Sequence, residues 1–185
     1  MKTAPNLAQC LAECLPGYSL PQALYTDEAI YRQDLENLFF REWIFVAHDC
    51  EIGNNCIIAN SVQIAGHVTI QDWVIIGGGS LVHQFGIIGQ HSMIQGGLQV
   101  ANDIPPFVLA ASIPMKYSGL NVVGLRRRGF SNEDIQVIKD AYKTLYHSGL
   151  NLSEAKIELK NKFNNTYVDT ILEFLNSTKR SLLKR

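Results

Sequence analysis

A histidine followed directly by an aspartate, His48-Asp49, is the pair in this sequence best suited to acid–base chemistry. A carboxylate beside an imidazole orients the ring and stabilises its cationic form, so that the histidine accepts a proton more readily. Deprotonating a hydroxyl that attacks an acyl carbonyl requires this arrangement. Such pairs are common, however, and the pair alone favours the simpler interpretation of a solvated histidine with an aspartate beside it by chance.

Further polar candidates lie along the chain. Gly66 would leave a backbone N–H uncovered by any side chain, which suits an oxyanion. His67 and Gln84 have the groups to bind sugar or diphosphate oxygens, and the run Arg126–Arg128 has those to bind a phosphate through charge-assisted hydrogen bonds. Taken singly, each is more often a surface residue, so their meaning depends on the elements that position them.

The positioning element is a six-residue repeat. An aliphatic residue opens each of ten consecutive hexads, the second position is nearly always small, and the fifth is small or apolar. A period of six fits neither a helix nor a long alternating strand, and it is typical of a parallel β-helix with a buried aliphatic ladder. We therefore predict a short left-handed parallel β-helix over residues 46–105. The openers are Val46, Ile52, Ile58, Ile64, Ile70, Ile76, Val82, Ile88, Ile94 and Val100.

Three hexads make one turn of such a helix, so residues 18 apart stack at the inter-strand spacing of about 4.8 Å. The histidines inside the repeat occupy neither the first nor the fifth position, and all are expected to point outward. They are His48, His67, His83 and His91. Two neighbouring outward columns result, namely His48, Gly66, Gln84 and Asp49, His67, Phe85.

The four cysteines are expected to be free and reduced. Cys50 and Cys56 occupy fifth positions, which predicts small buried apolar groups. Cys10 and Cys14 are spaced as neighbours on a helix. No second ligand pair with zinc-like spacing follows them, so no metal site is expected.

Bulk composition indicates one main core with a small accessory region. The chain has 185 residues, a net charge of −1 and 46% hydrophobic residues, and this balance implies no nucleic acid or anionic membrane partner. The longest apolar run is about five residues, against roughly 20 needed to span a bilayer. With no evident secretory leader, we expect no membrane span and a cytoplasmic location.

Three regions are predicted: a helical arm over residues 1–45, the β-helix over residues 46–105, and a connector with a helical domain over residues 106–185. In the arm, Thr26 caps a helix whose apolar stripe consists of Tyr31, Leu35, Leu38 and Phe39. Residues 107–129 read as irregular or extended chain. Beyond them, a capping box begins at Ser131 and its helix stops at Ser148-Gly149. Two further helices are predicted through Ala155, Leu159, Phe163 and through Val168, Ile171, Leu172, Leu175.

Four motifs, AHDC, AGH, VHQF and LRRRGF, carry a resemblance to a known family. Over about residues 46–185 the chain resembles the C-terminal half of bacterial UDP-N-acetylglucosamine acyltransferase. The resemblance implies the first acyl transfer of lipid A synthesis, from acyl carrier protein to the 3-hydroxyl of the sugar in UDP-N-acetylglucosamine. It also implies a homotrimer with sites between subunits, and no cofactor beyond the acyl carrier protein thioester.

The resemblance assigns catalysis to three residues. His48, the histidine of AHDC, takes the place of the general base, and Asp49 that of its supporting partner. Gly66, the glycine of AGH, takes the place of an oxyanion donor. The family has a second active-site histidine three residues before the base, where this chain has Phe45. It also has several more coils upstream with further nucleotide contacts, so we expect an impaired activity.

The resemblance further implies seven substrate-binding residues. His67 is expected to contact substrate, and two residues of the VHQF motif are expected to line the site. Gly96 lies where the family sets acyl-chain length, and a glycine there leaves the groove open for a long chain. Three more residues lie at nucleotide-binding positions. The seven are His67, His83, Gln84, Gly96, Asn121, Arg127 and Arg128.

A second resemblance covers about residues 14–52. The segment LPQALYTDEAIYRQDLENLFFREWIFVAHDCEI is similar to the N-terminal lead-in of the large subunit of Rieske-type aromatic-ring oxygenases. It implies no Rieske chemistry, because that cluster needs Cys-x-His and Cys-x-x-His pairs and no cysteine follows Cys56. Both families share AHDCEI almost word for word. We therefore interpret the chain as a chimera, an oxygenase-like helical arm joined in phase to a shortened acyltransferase.

Two alternatives to this acyltransferase remain open. One is a non-catalytic trimeric β-helix scaffold or binding module. The other is a different hexapeptide acyltransferase that uses a CoA thioester, which LRRRGF and the helical tail disfavour. In every case the lowest coil has a strand edge that needs covering, and the apolar stripe of the arm is the candidate cap.

Overall fold

The computed structural model describes Glu28, Ala29, Arg32, residues 49–178 and residues 180–185. The chain divides into two compact units, Met1–Val46 and Ala47–Arg185. The three described residues of the first unit are α-helical, and Arg32 Nε lies 3.1 Å from Glu28 Oε1 one turn away. Several predictions concern residues outside those described, namely Cys10, Cys14, Thr26, Tyr31, Leu35, Leu38, Phe39, Phe45, Val46 and His48.

The predicted repeat forms nine strands of two residues each. They recur every six residues, and each ends on the aliphatic opener of its hexad, which faces the interior. Short straight segments separated by tight corners are what a six-residue period produces. The strands are β1 (Glu51–Ile52), β2 (Ile57–Ile58), β3 (Gln63–Ile64), β4 (Thr69–Ile70), β5 (Ile75–Ile76), β6 (Leu81–Val82), β7 (Ile87–Ile88), β8 (Met93–Ile94) and β9 (Gln99–Val100).

These strands build the three faces of a parallel β-helix, as predicted. One face is the ladder β1-β4-β7, the second contains β2-β5-β8, and the third is β3-β6-β9. The register pairs Ile52 with Ile70 and Ile76 with Ile94, so partners are 18 residues apart. Three hexads therefore make one coil, and the predicted columns of side chains follow.

The hexad openers form the core. Six of them, Ile70, Ile76, Val82, Ile88, Ile94 and Val100, are 0–4% exposed. Burying an aliphatic side chain of this size stabilises the fold by about 1.5–3 kcal/mol. In the lowest described coil the same position is less protected, and Ile52 is 42% exposed.

Both described cysteines are thiols that lie half-buried against this core, at the fifth positions predicted for them. The Cys50 thiol donates to the Ala65 carbonyl at 3.1 Å, and the Cys56 thiol donates to the Gln71 carbonyl at 3.1 Å. Each therefore bonds to the coil above it.

The fourth residue of each of the first nine hexads forms the corner of the coil in the left-handed region. Its φ lies between 49° and 74°. The N–H of Phe85 at one corner donates to the Gly66 carbonyl in the coil below at 3.1 Å, and Trp73, Gly79, His91 and Gly97 repeat this bond. The pattern holds residues of unfavourable φ in place. The corner residues are Asp49, Asn55, Ser61, His67, Trp73, Gly79, Phe85, His91 and Gly97.

Beyond the repeat, the prediction of irregular or extended chain over residues 107–129 is wrong. β10 (Val108–Ala111) adds parallel to β8, and β11 (Lys116–Leu120) pairs antiparallel with β10. The short helix α1 (Val122–Arg127) follows. The prolines of Pro105-Pro106 end the hexad pattern, but the chain regains strand pairing two residues later, and a local reading cannot find such a non-local partner.

The three predicted C-terminal helices are present as α2 (Asn132–His147), α3 (Leu152–Lys162) and α4 (Thr166–Ser177). The capping box at Ser131 is confirmed, since its hydroxyl accepts from the Asp134 N–H at 3.0 Å. Gly149, with φ of 80°, follows the end of α2 as predicted. Among the described residues, none of the helices is both long and apolar enough to cross a bilayer.

The C-terminal tail is fastened to the last coil through Asp103. This carboxylate is fully buried and accepts from the Ile87 N–H at 2.9 Å and from the Thr178 hydroxyl. The Asp103 backbone also donates to the Ser181 carbonyl at 3.0 Å and accepts from the Leu183 N–H at 2.9 Å. The tail thus covers backbone groups at the upper end of the β-helix, which repeat proteins must protect.

Candidate functional site

Two of the three predicted catalytic residues are described, and they lie on one corner of successive coils. Asp49 is an exposed corner residue with φ of 49°. Gly66 directly precedes His67, which is the corner residue one coil beyond Asp49. The N–H of Gly66 makes no hydrogen bond within residues 49–178 and 180–185. The general-base candidate His48 lies outside the described residues.

The predicted column of His67 and Phe85 is confirmed. Their rings stack with centroids 5.0 Å apart and 5° between their planes. Both side chains are exposed. The corner therefore presents an imidazole with one face covered by a phenyl ring.

His83 and Gln84 meet a residue that the sequence reasoning missed. Arg180, in the C-terminal tail, lies with its Nη1 3.2 Å from His83 Nδ1 and donates to the Gln84 carbonyl at 2.8 Å. Its Nη2 donates to the Ala101 carbonyl at 3.1 Å. No spacing along the chain indicates this contact, because Arg180 and His83 are 97 positions apart.

Asn121 has a structural position at the start of α1. It is 4% exposed, its Nδ2 donates to the His91 carbonyl at 3.0 Å, and its Oδ1 accepts from the Gly124 N–H at 3.2 Å. The amide oxygen therefore caps α1, and the amide nitrogen joins α1 to the β-helix. A nucleotide contact by this side chain would have to use the second N–H of Nδ2 or the remaining acceptor capacity of Oδ1.

Arg127 and Arg128 line a cleft of about 670 Å³ between α1 and the β-helix. Trp73, Ile57 and Met93 contribute apolar walls, so the cleft combines a flat apolar surface with two cations. That chemistry suits a base or ring bearing an anionic group. The third arginine of the run, Arg126, is exposed and donates to Asn132 Oδ1 at 3.3 Å.

His91 lies at an outward corner, as predicted, but it is not exposed. It is half-buried, stacks near Phe107 at 5.7 Å and meets the edge of Phe130 at 5.0 Å. These aromatic rings come from beyond the repeat and cover a corner that the hexad pattern leaves open.

His91 is also neutral and fixed in orientation. Burial, together with the positive charge of Arg128, lowers its pKa from 6.5 to about 4, and the negative charge of Asp72 opposes part of this shift. Because a guanidinium only donates, the Arg128 Nη1 at 3.2 Å makes Nδ1 of His91 an acceptor. Arg128 also lies over Trp73 at 5.3 Å from the ring centroid. Its place in the cleft is therefore set by both residues.

Gly96 has a packing reason of its own. A Cβ added there would lie 2.9 Å from the Gly78 carbonyl oxygen in the coil below, closer than real side chains come to backbone. The glycine is thus required by the close approach of two coils, apart from any effect on acyl-chain length.

Within the described residues no group of three His, Cys, Asp or Glu side chains is arranged to hold a metal ion. The polar groups on this face are instead imidazoles, amides, guanidinium groups and a bare backbone N–H. These are groups that move protons and bind oxygen atoms.

Two family models match parts of the chain. Residues 49–84 match the bacterial transferase hexapeptide family (six repeats), and residues 103–183 match domain 2 of the UDP-N-acetylglucosamine O-acyltransferases. Fold and repeat together define the chain as a protein of the hexapeptide-repeat transferase class.

Individual relatives narrow the class. The chain is 43% identical over 147 residues to the acyl-[acyl-carrier-protein]–UDP-N-acetylglucosamine O-acyltransferase of Burkholderia lata, covering 77% of this chain and 56% of that protein. For the enzyme of that name from Nautilia profundicola the identity is 46%, with coverages of 80% and 57%. The chain therefore belongs to the UDP-N-acetylglucosamine O-acyltransferase family, and it spans about half the length of these relatives.

A solved structure agrees. The UDP-N-acetylglucosamine acyltransferase of Bacteroides fragilis superposes with a TM-score of 0.73 at 41% identity, covering 75% of this chain and 56% of that one. The parallel β-helix with C-terminal helices is thus the architecture of the family.

Proposed function

We propose that this chain transfers a (3-hydroxy)acyl group from acyl carrier protein to the 3-hydroxyl of UDP-N-acetylglucosamine, the first acylation of lipid A synthesis. The observation that carries the proposal is the hexapeptide match over residues 49–84, which contains Asp49, Gly66, His67, His83 and Gln84 on successive coils of one face. The names of the relatives supply the substrate pair.

The reaction begins with His48 as the general base. It takes the proton of the sugar hydroxyl as the oxygen attacks the thioester carbonyl, and Asp49 stabilises the resulting imidazolium. A C–O bond forms and the carbonyl oxygen becomes an oxyanion. Asp49 has the corner position next to His48 in the chain, which supports this pairing.

Gly66 donates its backbone N–H to that oxyanion. The N–H makes no hydrogen bond within the described part of the chain, and Gly66 itself has no side chain to cover it. Collapse of the intermediate breaks the C–S bond, and the departing thiolate takes the proton back from His48. The products are the ester and the free thiol, with no further reactant required.

Substrate binding falls to the residues around this centre. His67, held flat against Phe85, offers a ring N–H or nitrogen to the sugar. Arg127 and Arg128 bind the diphosphate and their cleft takes the nucleoside, with Asn121 at its edge. Gly96 leaves the groove for the acyl chain unobstructed, in addition to its packing role.

The same proposal requires a homotrimer, since the family resemblance sets each site between two subunits. Light scattering on the full chain should therefore give a mass three times that of one chain. A monomer at working concentrations would contradict an intersubunit site.

A non-catalytic trimeric β-helix is the second candidate. It is favoured by one observation, that Phe45 stands where the resembled family has a second active-site histidine. On this alternative the fold and the cleft persist, and ligand binding occurs without turnover. The two candidates are separated by measuring acyl transfer.

The test is an assay of the full chain with acyl carrier protein thioester and UDP-N-acetylglucosamine. We expect turnover in the wild type and a loss of roughly 100-fold or more in His48→Ala, because general-base catalysis contributes about 10²–10⁴-fold. His147→Ala is the matched control, since His147 is an exposed residue in the last turn of α2. A folded, trimeric wild type without turnover would support the non-catalytic alternative.

For the N-terminal region we propose an oxygenase-like arm over residues 1–45, preceding a β-helix over 46–105 and a connector with helical domain over 106–185. The likeness of residues 14–52 to the oxygenase lead-in supports this chimera. The helical conformation of Glu28, Ala29 and Arg32 is compatible with the predicted helix.

A further inference from the structure

The C-terminal tail places the guanidinium group of Arg180 against His83. Arg180 makes three contacts there, to His83 Nδ1 at 3.2 Å, to the Gln84 carbonyl at 2.8 Å and to the Ala101 carbonyl at 3.1 Å. The tail itself is held by Asn102, whose Nδ2 donates to Ser181 Oγ at 2.5 Å. The guanidinium is thus held at both of its outer nitrogens.

These contacts select one tautomer of His83. A guanidinium has only N–H donors, so the contact between Arg180 and Nδ1 is a hydrogen bond only when Nδ1 carries no proton. In the other tautomer, an Nδ1–H would donate to the Gln84 carbonyl at 3.0 Å. That oxygen already accepts from Arg180 at 2.8 Å, and the Nδ1–H would face a guanidinium N–H. The charge-assisted bond from Arg180 favours the proton on Nε2.

The second ring nitrogen of His83, Nε2, is then always a hydrogen-bond donor. The His83 side chain is exposed, and Nε2 makes no hydrogen bond to any described residue. We propose that Arg180 is a positioning residue that fixes His83 as the Nε2–H tautomer, so that the imidazole donates a hydrogen bond to an oxygen of the bound substrate. This inference rests on the proposed acyltransferase function for the identity of that oxygen.

The tautomer is read directly by NMR. The full chain is labelled with ¹⁵N-histidine, and long-range ¹H–¹⁵N correlations are recorded at a pH where imidazoles are neutral, with His83 assigned through His83→Gln. We expect a protonated Nε2 and an unprotonated Nδ1 in the wild type, and a mixture of tautomers in Arg180→Met. A wild-type His83 protonated at Nδ1 would overturn the proposal even if Arg180→Met does not fold.

Loosening of the tail is controlled separately. Ser181→Ala removes the bond between Asn102 and Ser181 and leaves Arg180 in place, so its His83 spectrum should match the wild type. If Ser181→Ala shifts the tautomer as much as Arg180→Met does, tail attachment and not Arg180 sets the ring, and the proposal is wrong.

Turnover supplies the second readout. Arg180→Met should lower kcat/KM roughly tenfold, the effect of one misplaced hydrogen bond, but by less than about twofold when His83 is already alanine. Additive losses would show that Arg180 does not act through His83. An inactive wild type would contradict the proposed function alone, because the tautomer measurement needs no turnover.

Discussion

The corner residues of the coils combine an uncommon backbone conformation with side chains on the outside of the β-helix. Left-handed φ costs an ordinary L-residue roughly 1–2 kcal/mol, yet His67, Trp73, Phe85 and His91 all adopt it. The 18-residue stacking compensates in part, since His67 lies on Phe85 and Trp73 lies near His91 at 6.1 Å. Corner side chains are therefore held in columns, which is how a repeat presents chemistry at a defined spacing.

The lowered pKa of His91 predicts that the free energy of unfolding depends on pH. Its folded pKa of about 4 is below the ordinary 6.5, so between these values the unfolded chain binds a proton that the folded chain does not. Its contribution to stability is complete above about pH 6.5 and is lost as the pH falls toward 4. Because the ring is only half-buried, we expect the effect at pH 5 to be about 1 kcal/mol.

Urea unfolding at pH 7 and pH 5, at one protein concentration, measures this change in the free energy of unfolding. His91→Gln should lose less stability between these pH values than the wild type does, by about 1 kcal/mol. His147→Gln is the control, because that exposed histidine lies in the helical domain away from the aromatic rings around His91. Equal pH dependence in His91→Gln and the wild type would contradict the shift.

At the scale of elements, coil spacing decides where glycine is necessary. Gly96 and Gly97 are neighbours, but a different constraint favours glycine at each position. Gly96 has an ordinary φ but almost no room, while Gly97 has φ of 74° and open space around it. The first is limited by the coil below and the second only by its own backbone.

A matched pair of substitutions separates these two reasons. Gly96→Ala should destabilise the β-helix by about 1–3 kcal/mol, because its Cβ would crowd the Gly78 carbonyl. Gly97→Asn should cost less than about 1 kcal/mol, since Asn55 tolerates the equivalent corner at φ of 56°. Thermal or urea unfolding checks both, and the reverse order would refute the steric account.

At the scale of the whole molecule, the two ends of the β-helix differ. The upper end is covered by β10, β11 and the tail bonded to Asp103. Within the described residues, β1, β2 and β3 pair with strands on one side only, and Ile52 is 42% exposed. An open strand edge next to partly exposed aliphatic residues favours aggregation.

This asymmetry bears on the capping role that the sequence predicts for the N-terminal arm. If the arm has that role, deletion of residues 1–42 should give an insoluble or markedly less heat-stable protein. Deletion of Arg185 is the control, since this residue is exposed. A soluble truncation with unchanged melting temperature would refute capping.

Much of the fold follows from local pattern. The hexad openers, the 18-residue columns, the buried fifth positions and the helix caps at Ser131 and Gly149 depend on short-range spacing, which the chain carries whatever its partners. The motifs AHDC, AGH, VHQF and LRRRGF likewise predict the family, and the relatives agree. The sequence thus determined the architecture and the family.

Tertiary structure alone decided how those residues are held. The buried His91, the caps made by Asn121, the strand pairing of β10 and the contact of Arg180 with His83 join positions about 16 to 97 residues apart. A repeating sequence pattern does not indicate these contacts, because they depend on the path by which the chain returns to the β-helix. Side-chain protonation and orientation in this site are therefore products of packing, and composition and spacing do not contain them.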